Sequence, residues 1–199
     1  SLLEATTGSF ESGAQYDPSG HDPEARARLF ELGDNLTKGP KWHEALGSFS
    51  GSERGEALDL LGFRRQVVFS SFCARLIFEA QPMDLRYETA AAHNRAMAEF
   101  CDHDDRLMGV AMVPLDDPGR ALAEIEAAHA LGLAAVWVAS DAPGGRSPGH
   151  VDHEPIWATL AERGLPFLLH VGSSPLTVED PWMNDGRPSV TTARGGAEV

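Results

Sequence analysis

The chain has little cysteine and no long apolar run. Cys73 and Cys101 are the only cysteines among 199 residues and lie in no paired motif, so neither a disulfide framework nor a thiolate zinc site is indicated. No apolar stretch approaches the roughly 20 residues of a membrane-spanning helix, and the first residues lack the basic and apolar regions of a signal peptide. We therefore expect a cytoplasmic protein that does not enter a membrane.

Basic residues are also scarce. The sequence has 16 basic against 30 acidic residues and a formal net charge of -14, a field that repels nucleic acid and anionic lipid headgroups. A composition of 42% hydrophobic and 23% charged residues suits one globular domain or a large piece of one. These numbers favour a protein that acts on a small molecule.

Phosphate-binding loops are absent from the places where a nucleotide-binding fold would have them. The first predicted strand is followed by residues 70–73, Ser-Ser-Phe-Cys, and not by a G-x-G-x-x-G sequence. The glycine cluster at residues 143–146, Pro-Gly-Gly-Arg, lacks the Lys-Ser/Thr ending of a P-loop. Nucleotide binding is disfavoured.

The N-terminal third of the chain is irregular. Residues 1–23 are rich in Ser, Gly, Thr and Pro and read as a loop or arm. A short helix is predicted over residues 24–33, capped by Asp22, and a second over residues 52–61, capped by Ser52. We assign residues 1–64 to an N-terminal arm with short helices.

Beyond residue 64 strands alternate with helices. The strands are apolar runs predicted to be buried on both faces, and the helices show a 3.6-residue apolar stripe. Such units are expected to form consecutive parallel strands, as in a doubly wound sheet or a β/α barrel. The predicted strands are 66–70, 107–113, 134–139 and 166–170, and the predicted helices are 84–100, 117–131 and 154–163.

The last of these strands delivers a histidine to its carboxyl end. Residues 167–169 are apolar, and glycine and proline punctuate both sides of the run, which is typical of a short central strand. His170 therefore lies where α/β folds place their chemistry, and an imidazole there can bind a metal or move a proton. A structural histidine is the alternative interpretation.

The segment from residue 61 to 172 resembles the amidohydrolase-related family of metal-dependent hydrolases and decarboxylases, which includes aminocarboxymuconate-semialdehyde and resorcylate decarboxylases. The order and spacing of short matching pieces carry this resemblance: Leu61-Gly62, Ala92-His93-Asn94-Arg95, Asp105-Arg106-Leu107, Val113-Pro114-Leu115-Asp116-Asp117-Pro118, Leu131-Gly132-Leu133, Pro155-Ile156-Trp157 and Gly164-Leu165-Pro166 running into His170.

The resemblance implies an α/β fold that is part of a (β/α)8 TIM barrel, with four strands similar to its second to fifth. It implies that His170 ligates a divalent metal ion, for which zinc is our expectation, and that the protein is a dimer. Residues 65–174 would form these strands and helices, and residues 175–199 a loop leading into a missing or truncated segment.

Most of the family's metal ligands have no counterpart in this sequence. No His-x-His or Glu-x-His pair precedes the first predicted strand, and the four strand units already extend to residue 173 of 199. A complete barrel takes about 250 residues, and catalytic zinc usually has three protein ligands. We therefore expect a fragment of a longer gene product that is inactive alone.

A few other residues are candidates for a substrate site. Arg146, in the glycine-rich loop after the third strand, could hold a substrate carboxylate through two parallel hydrogen bonds. Ser70, Phe72 and Ser140 follow strands and could line the same pocket, with ordinary packing and turn chemistry as the alternative. Trp137, inside its strand, is predicted to be core.

Three acidic or histidine-containing stretches have simpler explanations. Asp117 precedes a proline and is predicted to cap a helix, whereas the role of Asp116 stays open between acid/base work and structure. In the stretch from His150 to His153, metal binding competes with helix capping by Asp152. The acidic residues around His103 are predicted to be solvated charge.

The predicted function is that of a metal-dependent hydrolase or decarboxylase acting on a small carboxylated, possibly aromatic, molecule. In this hypothesis His170 helps to hold the ion and Arg146 orients the carboxylate. The alternative is a noncatalytic half barrel that needs a partner chain, or the rest of its own chain, to cover its exposed strand edges.

Overall fold

The computed structural model describes residues 20–41 and 44–169. The helices are α1 (Pro23–Phe30), α2 (Gly51–Leu61), α3 (Ser71–Phe78), α4 (Met83–Cys101), α5 (Pro118–Ala130) and α6 (Glu154–Arg163), and the strands are β1 (Gln66–Val68), β2 (Leu107–Met112), β3 (Ala135–Trp137) and β4 (Phe167–Leu168). Short 3-10 turns lie at Gly33–Lys38, Pro143–Gly145 and Val151–His153. No helix within these residues is long and apolar enough to cross a bilayer.

The strands form one sheet in the order β1-β2-β3-β4. β2 and β3 pair in parallel with Val110 opposite Ala135, and β3 and β4 pair in parallel with Val136 opposite Phe167. Sequential neighbours joined through helices are what a strand, crossover helix and strand produce. The predicted α/β architecture with consecutive parallel strands is confirmed.

The described residues divide into two units. The first contains the chain up to Val68 together with Ala98–Met108, and the second contains Phe69–Met97 and the chain from Gly109 onward. We describe each unit by itself.

Trp137 is the centre of the apolar core of the second unit. It is fully buried in β3, and the rings of Phe69 and Phe78 meet it edge-on at centroid distances of 5.8 and 6.0 Å. Such edge-to-face pairs add to the free energy gained by burial. The prediction that Trp137 is core is confirmed.

Helix α3 is absent from the sequence-based prediction. The first strand ends at Val68, two residues earlier than predicted, and a helix of eight residues follows almost at once. Its buried residues Ala74, Ile77 and Phe78 pack in the core around Trp137. A helix of eight residues is shorter than the window of about 11–18 residues in which an apolar period can be recognised, which explains the miss.

Helix capping follows the predictions for Asp22 and Asp117. The Asp22 carboxylate accepts a hydrogen bond from the Ala25 amide at 2.8 Å, and the Asp117 carboxylate accepts from Gly119 and Arg120. The prediction for Ser52 is wrong, because α2 begins at Gly51 and Ser50 occupies the cap position. Residue type could not decide between Ser50 and Ser52, because either serine can cap a helix and only the position of the first helical residue separates them.

The first unit has its own network of buried charge. The Glu53 side chain is 6% exposed and lies 2.8 Å from His21 Nδ1, while the His21 and Gly47 amides also donate to it. Burial acts to raise the pKa of Glu53, but these hydrogen bonds outweigh it and the pKa lies below its ordinary value. This carboxylate ties the start of the described chain to α2.

Asp104 departs from the prediction of solvated charge. Its carboxylate is only partly exposed and accepts from Arg106 Nη2 at 2.7 Å, while the same guanidinium donates to the Gly55 carbonyl. Hydrogen bonds from Arg106 lower the pKa of Asp104. The neighbouring Asp102, His103 and Asp105 are exposed, as predicted.

In the second unit, the side chain of Asn94 completes the hydrogen bonding of β2. Fully buried in α4, it accepts from the Met112 amide at 2.8 Å and donates to the Met112 carbonyl at 3.0 Å. It also donates to Glu124 Oε1 at 2.7 Å. Because a buried backbone group without a partner is costly, Asn94 substitutes for a neighbouring strand at this point.

We predict that Asn94→Ala lowers the free energy of unfolding by about 3 kcal/mol, because it leaves both backbone groups of Met112 without partners. The matched control is Asn35→Ala, at an exposed position, where the change is expected to stay within about 0.5 kcal/mol. Denaturant titration of the two variants measures both values. Equal losses would contradict the role given to Asn94.

Candidate active site

The residues that follow the strands of the second unit are the candidates for function, since parallel strands bring their carboxyl ends to one edge. Residues 113–117, here called the β2 exit loop, follow β2. The turn Pro143–Gly145, here called the glycine turn, follows β3 and leads into Arg146. The β2 exit loop contains Asp116 and Asp117, and the glycine turn is followed directly by Arg146.

Arg146 lies in an exchangeable ion pair. Its guanidinium Nη1 donates to the Asp152 carboxylate, and the two side chains are 50% and 44% exposed. Its backbone amide donates to the Pro143 carbonyl at 3.1 Å, which ties it to the glycine turn. An exposed pair contributes only about 0–1 kcal/mol, so a substrate carboxylate could replace Asp152 at little cost.

The other predicted site residues are placed only in part. Ser70 precedes α3 and its hydroxyl donates to Cys73 Sγ at 3.3 Å, whereas Ser140, after β3, is buried. Phe72 lies in α3, but its side chain is outside what the structure describes, as is His170 as a whole. The pocket predicted from these residues and the metal ligation predicted for His170 therefore stay predictions.

The stretch from His150 to His153 is a structural turn. The Asp152 capping prediction is wrong, because α6 begins at Glu154 and the Asp152 carboxylate pairs with Arg146. His150 Nδ1 instead accepts from the Asp152 amide, and the buried His153 ring places Nδ1 3.0 Å from the Ser147 carbonyl. Both histidines serve the loop in front of α6.

Asp116 is engaged on two sides. Its carboxylate lies 2.8 Å from Arg86 Nη1 with side-chain exposures of 16% and 9%, and Arg86 Nε donates to the Ala80 carbonyl at 3.2 Å. Asp116 Oδ1 also accepts from the Gly144 amide at 3.3 Å. The question that the sequence left open is answered in favour of structure, since the carboxylate joins α4, the β2 exit loop and the glycine turn.

Tyr87 holds the same loop from the same helix. Its hydroxyl lies 2.9 Å from the Pro114 carbonyl and 3.1 Å from the Asp117 carbonyl, and accepts from the Asp117 amide at 2.9 Å. Burial raises the pKa of Tyr87 to about 12, so the hydroxyl keeps its proton. The Arg120 guanidinium covers the ring at 4.2 Å from its centroid.

Sequence reasoning missed Arg86 and Tyr87. Both belong to the first two turns of α4, and helices that cross back over a parallel sheet begin near the carboxyl ends of its strands. Polar side chains in these turns are the signal that could have identified them. We call Arg86, Tyr87 and Asn94 the α4 triplet.

The described residues do not by themselves fit a metal centre. Within 20–41 and 44–169 there is no group of three or more His, Cys, Asp and Glu side chains that could hold an ion. A catalytic ion usually needs three protein ligands, so any metal site of this protein must draw on residues outside these ranges. His170 is such a residue.

Comparison with protein families identifies one match. The Amidohydrolase family profile matches residues 43–193, which includes the whole of the second unit up to Leu169. No curated protein sequence matches the chain significantly.

Two solved structures share the fold. An amidohydrolase from Mycobacterium avium subsp. paratuberculosis K-10 has a TM-score of 0.54 at 23% identity, over 66% of this chain and 36% of its own. The 5-carboxyvanillate decarboxylase of Novosphingobium aromaticivorans, solved with bound manganese and 3-methoxy-4-hydroxy-5-nitrobenzoic acid, has a TM-score of 0.52 at 19% identity, over 84% of this chain and 53% of its own. The chain thus spans about a third and about half of these two proteins, and the likeness establishes a partial TIM-barrel fold.

We predict that Tyr87→Phe lowers the free energy of unfolding by about 2 kcal/mol, because the Asp117 amide and the Pro114 carbonyl both lose a buried partner. Asp84→Asn is the control in the first turn of the same helix, where the carboxylate is 81% exposed and pairs with Arg120. That change should cost less than about 1 kcal/mol. Thermal and urea unfolding of the two variants measure both changes. A Tyr87→Phe variant as stable as the wild type would contradict the role of the Tyr87 hydroxyl in holding the β2 exit loop.

Proposed function

Because the chain belongs to the Amidohydrolase family, we propose that it is the part of a metal-dependent hydrolase or decarboxylase that binds a small carboxylated, possibly aromatic, molecule. The single observation that carries the proposal is the family match over residues 43–193. The manganese and the substituted benzoic acid in the fold neighbour support a divalent metal and an aromatic acid as the ligands to test first.

The role proposed for the chain's own residues is carboxylate binding at the carboxyl end of the sheet. Arg146 follows β3, is half exposed and pairs with the exposed carboxylate of Asp152. Such a guanidinium can release Asp152 and bind a substrate carboxylate in its place. A guanidinium presents two parallel donors to a carboxylate, which fixes its orientation as well as its position. Ser70, Phe72 and Ser140 are proposed to line the same pocket.

The proposed metal ligand is a residue outside the described ranges. Only Leu169 separates His170 from β4 in the sequence, and His170 is our proposed ligand. We expect this ion to be zinc, whereas the fold neighbour was solved with manganese. Either ion would act as a Lewis acid on the substrate or on its water. The described residues provide no group of three or more ligands for such an ion, so its further ligands must come from outside these ranges.

The protein is further proposed to be a cytoplasmic homodimer. Two isolated cysteines favour the reducing cytoplasm, and the acidic charge favours a small molecule over nucleic acid. A homodimer is proposed from the family resemblance alone.

The first test is metal content. We predict that the intact protein, of which we propose this chain to be a part, binds a divalent ion and that His170→Ala lowers its affinity for that ion at least about tenfold. His129→Ala, at an exposed position of α5, is the control and should leave metal content unchanged. Elemental analysis after dialysis measures all three proteins. Unchanged metal in the His170 variant would refute the ligand assignment, and a wild-type protein without metal would favour the noncatalytic half barrel.

The second test is the carboxylate role of Arg146. With 5-carboxyvanillate and related aromatic acids as trial substrates, Arg146→Ala should raise KM roughly 10- to 100-fold, as expected for the loss of a charged hydrogen-bond pair. Arg163→Ala is the matched control, because Arg163 forms a similarly exposed pair with Glu126, 44% and 47% exposed. Steady-state kinetics compare the two. An equal KM for both variants would contradict substrate binding by Arg146.

A further inference from the structure

We propose that Asp116 is a positioning residue, which holds the glycine turn in place and thereby sets the position of Arg146 for the substrate. The inference rests on the proposed function for its final step, the binding of a carboxylate by Arg146. Its earlier steps rest on contacts within the second unit alone.

The first step is that Asp116 is itself fixed. Arg86 comes from the first turn of α4 and is almost buried, and its guanidinium reaches both the Asp116 carboxylate at 2.8 Å and the Ala80 carbonyl at 3.2 Å. A guanidinium held at two points in a region of low exposure has little freedom to turn. Asp116 therefore presents its second oxygen in a constant direction.

The second step is that the glycine turn rests against Asp116. The Gly144 amide donates to Asp116 Oδ1 at 3.3 Å, and a Cβ added to Gly144 would lie 2.8 Å from the Asp116 carbonyl oxygen. The turn and the β2 exit loop thus meet backbone to backbone, at a distance that only glycine permits. The Gly144 φ of +60° adds a second reason for glycine at this position.

The third step links the turn to Arg146. The Gly145 amide donates to the Ala142 carbonyl at 2.9 Å, and the Arg146 amide donates to the Pro143 carbonyl at 3.1 Å. The backbone of Arg146 is therefore hydrogen-bonded to the glycine turn. Displacing Gly144 moves the backbone from which the Arg146 side chain starts. Small displacements of a substrate-orienting group are expensive, since about 1 Å can cost on the order of 100-fold in rate or binding.

Gly145 provides a matched control for this contact. It has a φ of +75°, as strained for an alanine as the +60° of Gly144, but an added Cβ there meets nothing within 4 Å. Gly144→Ala and Gly145→Ala therefore share the backbone penalty, and the difference between them reports the contact with Asp116. Neither substitution replaces a side chain of the Arg86–Asp116 ion pair.

Two variants of Asp116 separate its hydrogen bond from its charge. Asp116→Asn keeps an oxygen that can accept from the Gly144 amide, whereas Asp116→Ala removes it. Both leave Arg86 without its ion pair, and if either fails to fold, the two glycine variants still decide the question.

The experiment combines amide hydrogen exchange over residues 142–147 with steady-state kinetics on 5-carboxyvanillate and related aromatic acids, using the full protein. We expect Gly144→Ala and Asp116→Ala to accelerate exchange about tenfold and to raise KM roughly 10- to 100-fold with kcat nearly unchanged. Gly145→Ala should change both less, and Asp116→Asn should recover much of the loss seen with alanine.

The outcomes are distinguishable. Exchange that is equally fast in the Gly144 and Gly145 variants, or unchanged in Asp116→Ala, would overturn the contact itself. Faster exchange with an unchanged KM would overturn the positioning of Arg146 and leave Asp116 a purely structural residue. If the wild-type protein turns over none of the acids, the proposed function fails and the substrate step with it, while the exchange data still report on the contact.

Discussion

The interaction on which the second unit depends is between side chains of one helix and the backbone of one strand and its exit loop. A strand satisfies its amides and carbonyls along a ladder, which extends here to the Val113 amide and the Trp137 carbonyl, but the Met112 backbone and residues 114–117 take other partners. The α4 triplet takes over at this point, with Asn94 on Met112, Tyr87 on Pro114 and Asp117, and Arg86 on Asp116.

Because these side chains come from one helix, they hold the β2 exit loop in a fixed position relative to α4. All three side chains lie on α4, a helix of 19 residues, and each is buried or nearly so. Functional loops are usually irregular, and their precision comes from the elements that hold them. In this protein the β2 exit loop supports the glycine turn in the same way, so the order imposed by α4 extends to the segment before Arg146.

Charge is used differently in the interior and at the rim. The Arg86–Asp116 pair is nearly buried, and removing either partner would leave a charge without compensation. The Arg146–Asp152 pair is half exposed, and such pairs contribute little to stability, which is compatible with the carboxylate exchange proposed for Arg146. Asp116 contacts the glycine turn through the Gly144 amide, and Arg146 follows the turn directly.

The sequence predicts the elements better than the contacts. Helix α6 has the predicted bounds of Glu154–Arg163, and Asp117 caps α5 as its position before proline implies. Helix α3 was not predicted because its eight residues are too few to show an apolar period, and Asp152 was misassigned because a 3-10 turn precedes α6. The contacts of the α4 triplet join residues 18 to 30 positions apart, and no local pattern encodes such pairs. His170, the residue on which the metal prediction rests, lies outside the described ranges.

The most direct measurement is residue-resolved amide hydrogen exchange on the unmodified protein. The amides of Met112, Asp117 and Gly144 each donate to a side chain, those of Asn94, Tyr87 and Asp116. The account predicts that all three exchange far more slowly than an unstructured chain, with Met112 and Asp117 close to the rate of global unfolding. Exchange of Asp117 and Gly144 at the rate of an open loop would contradict it.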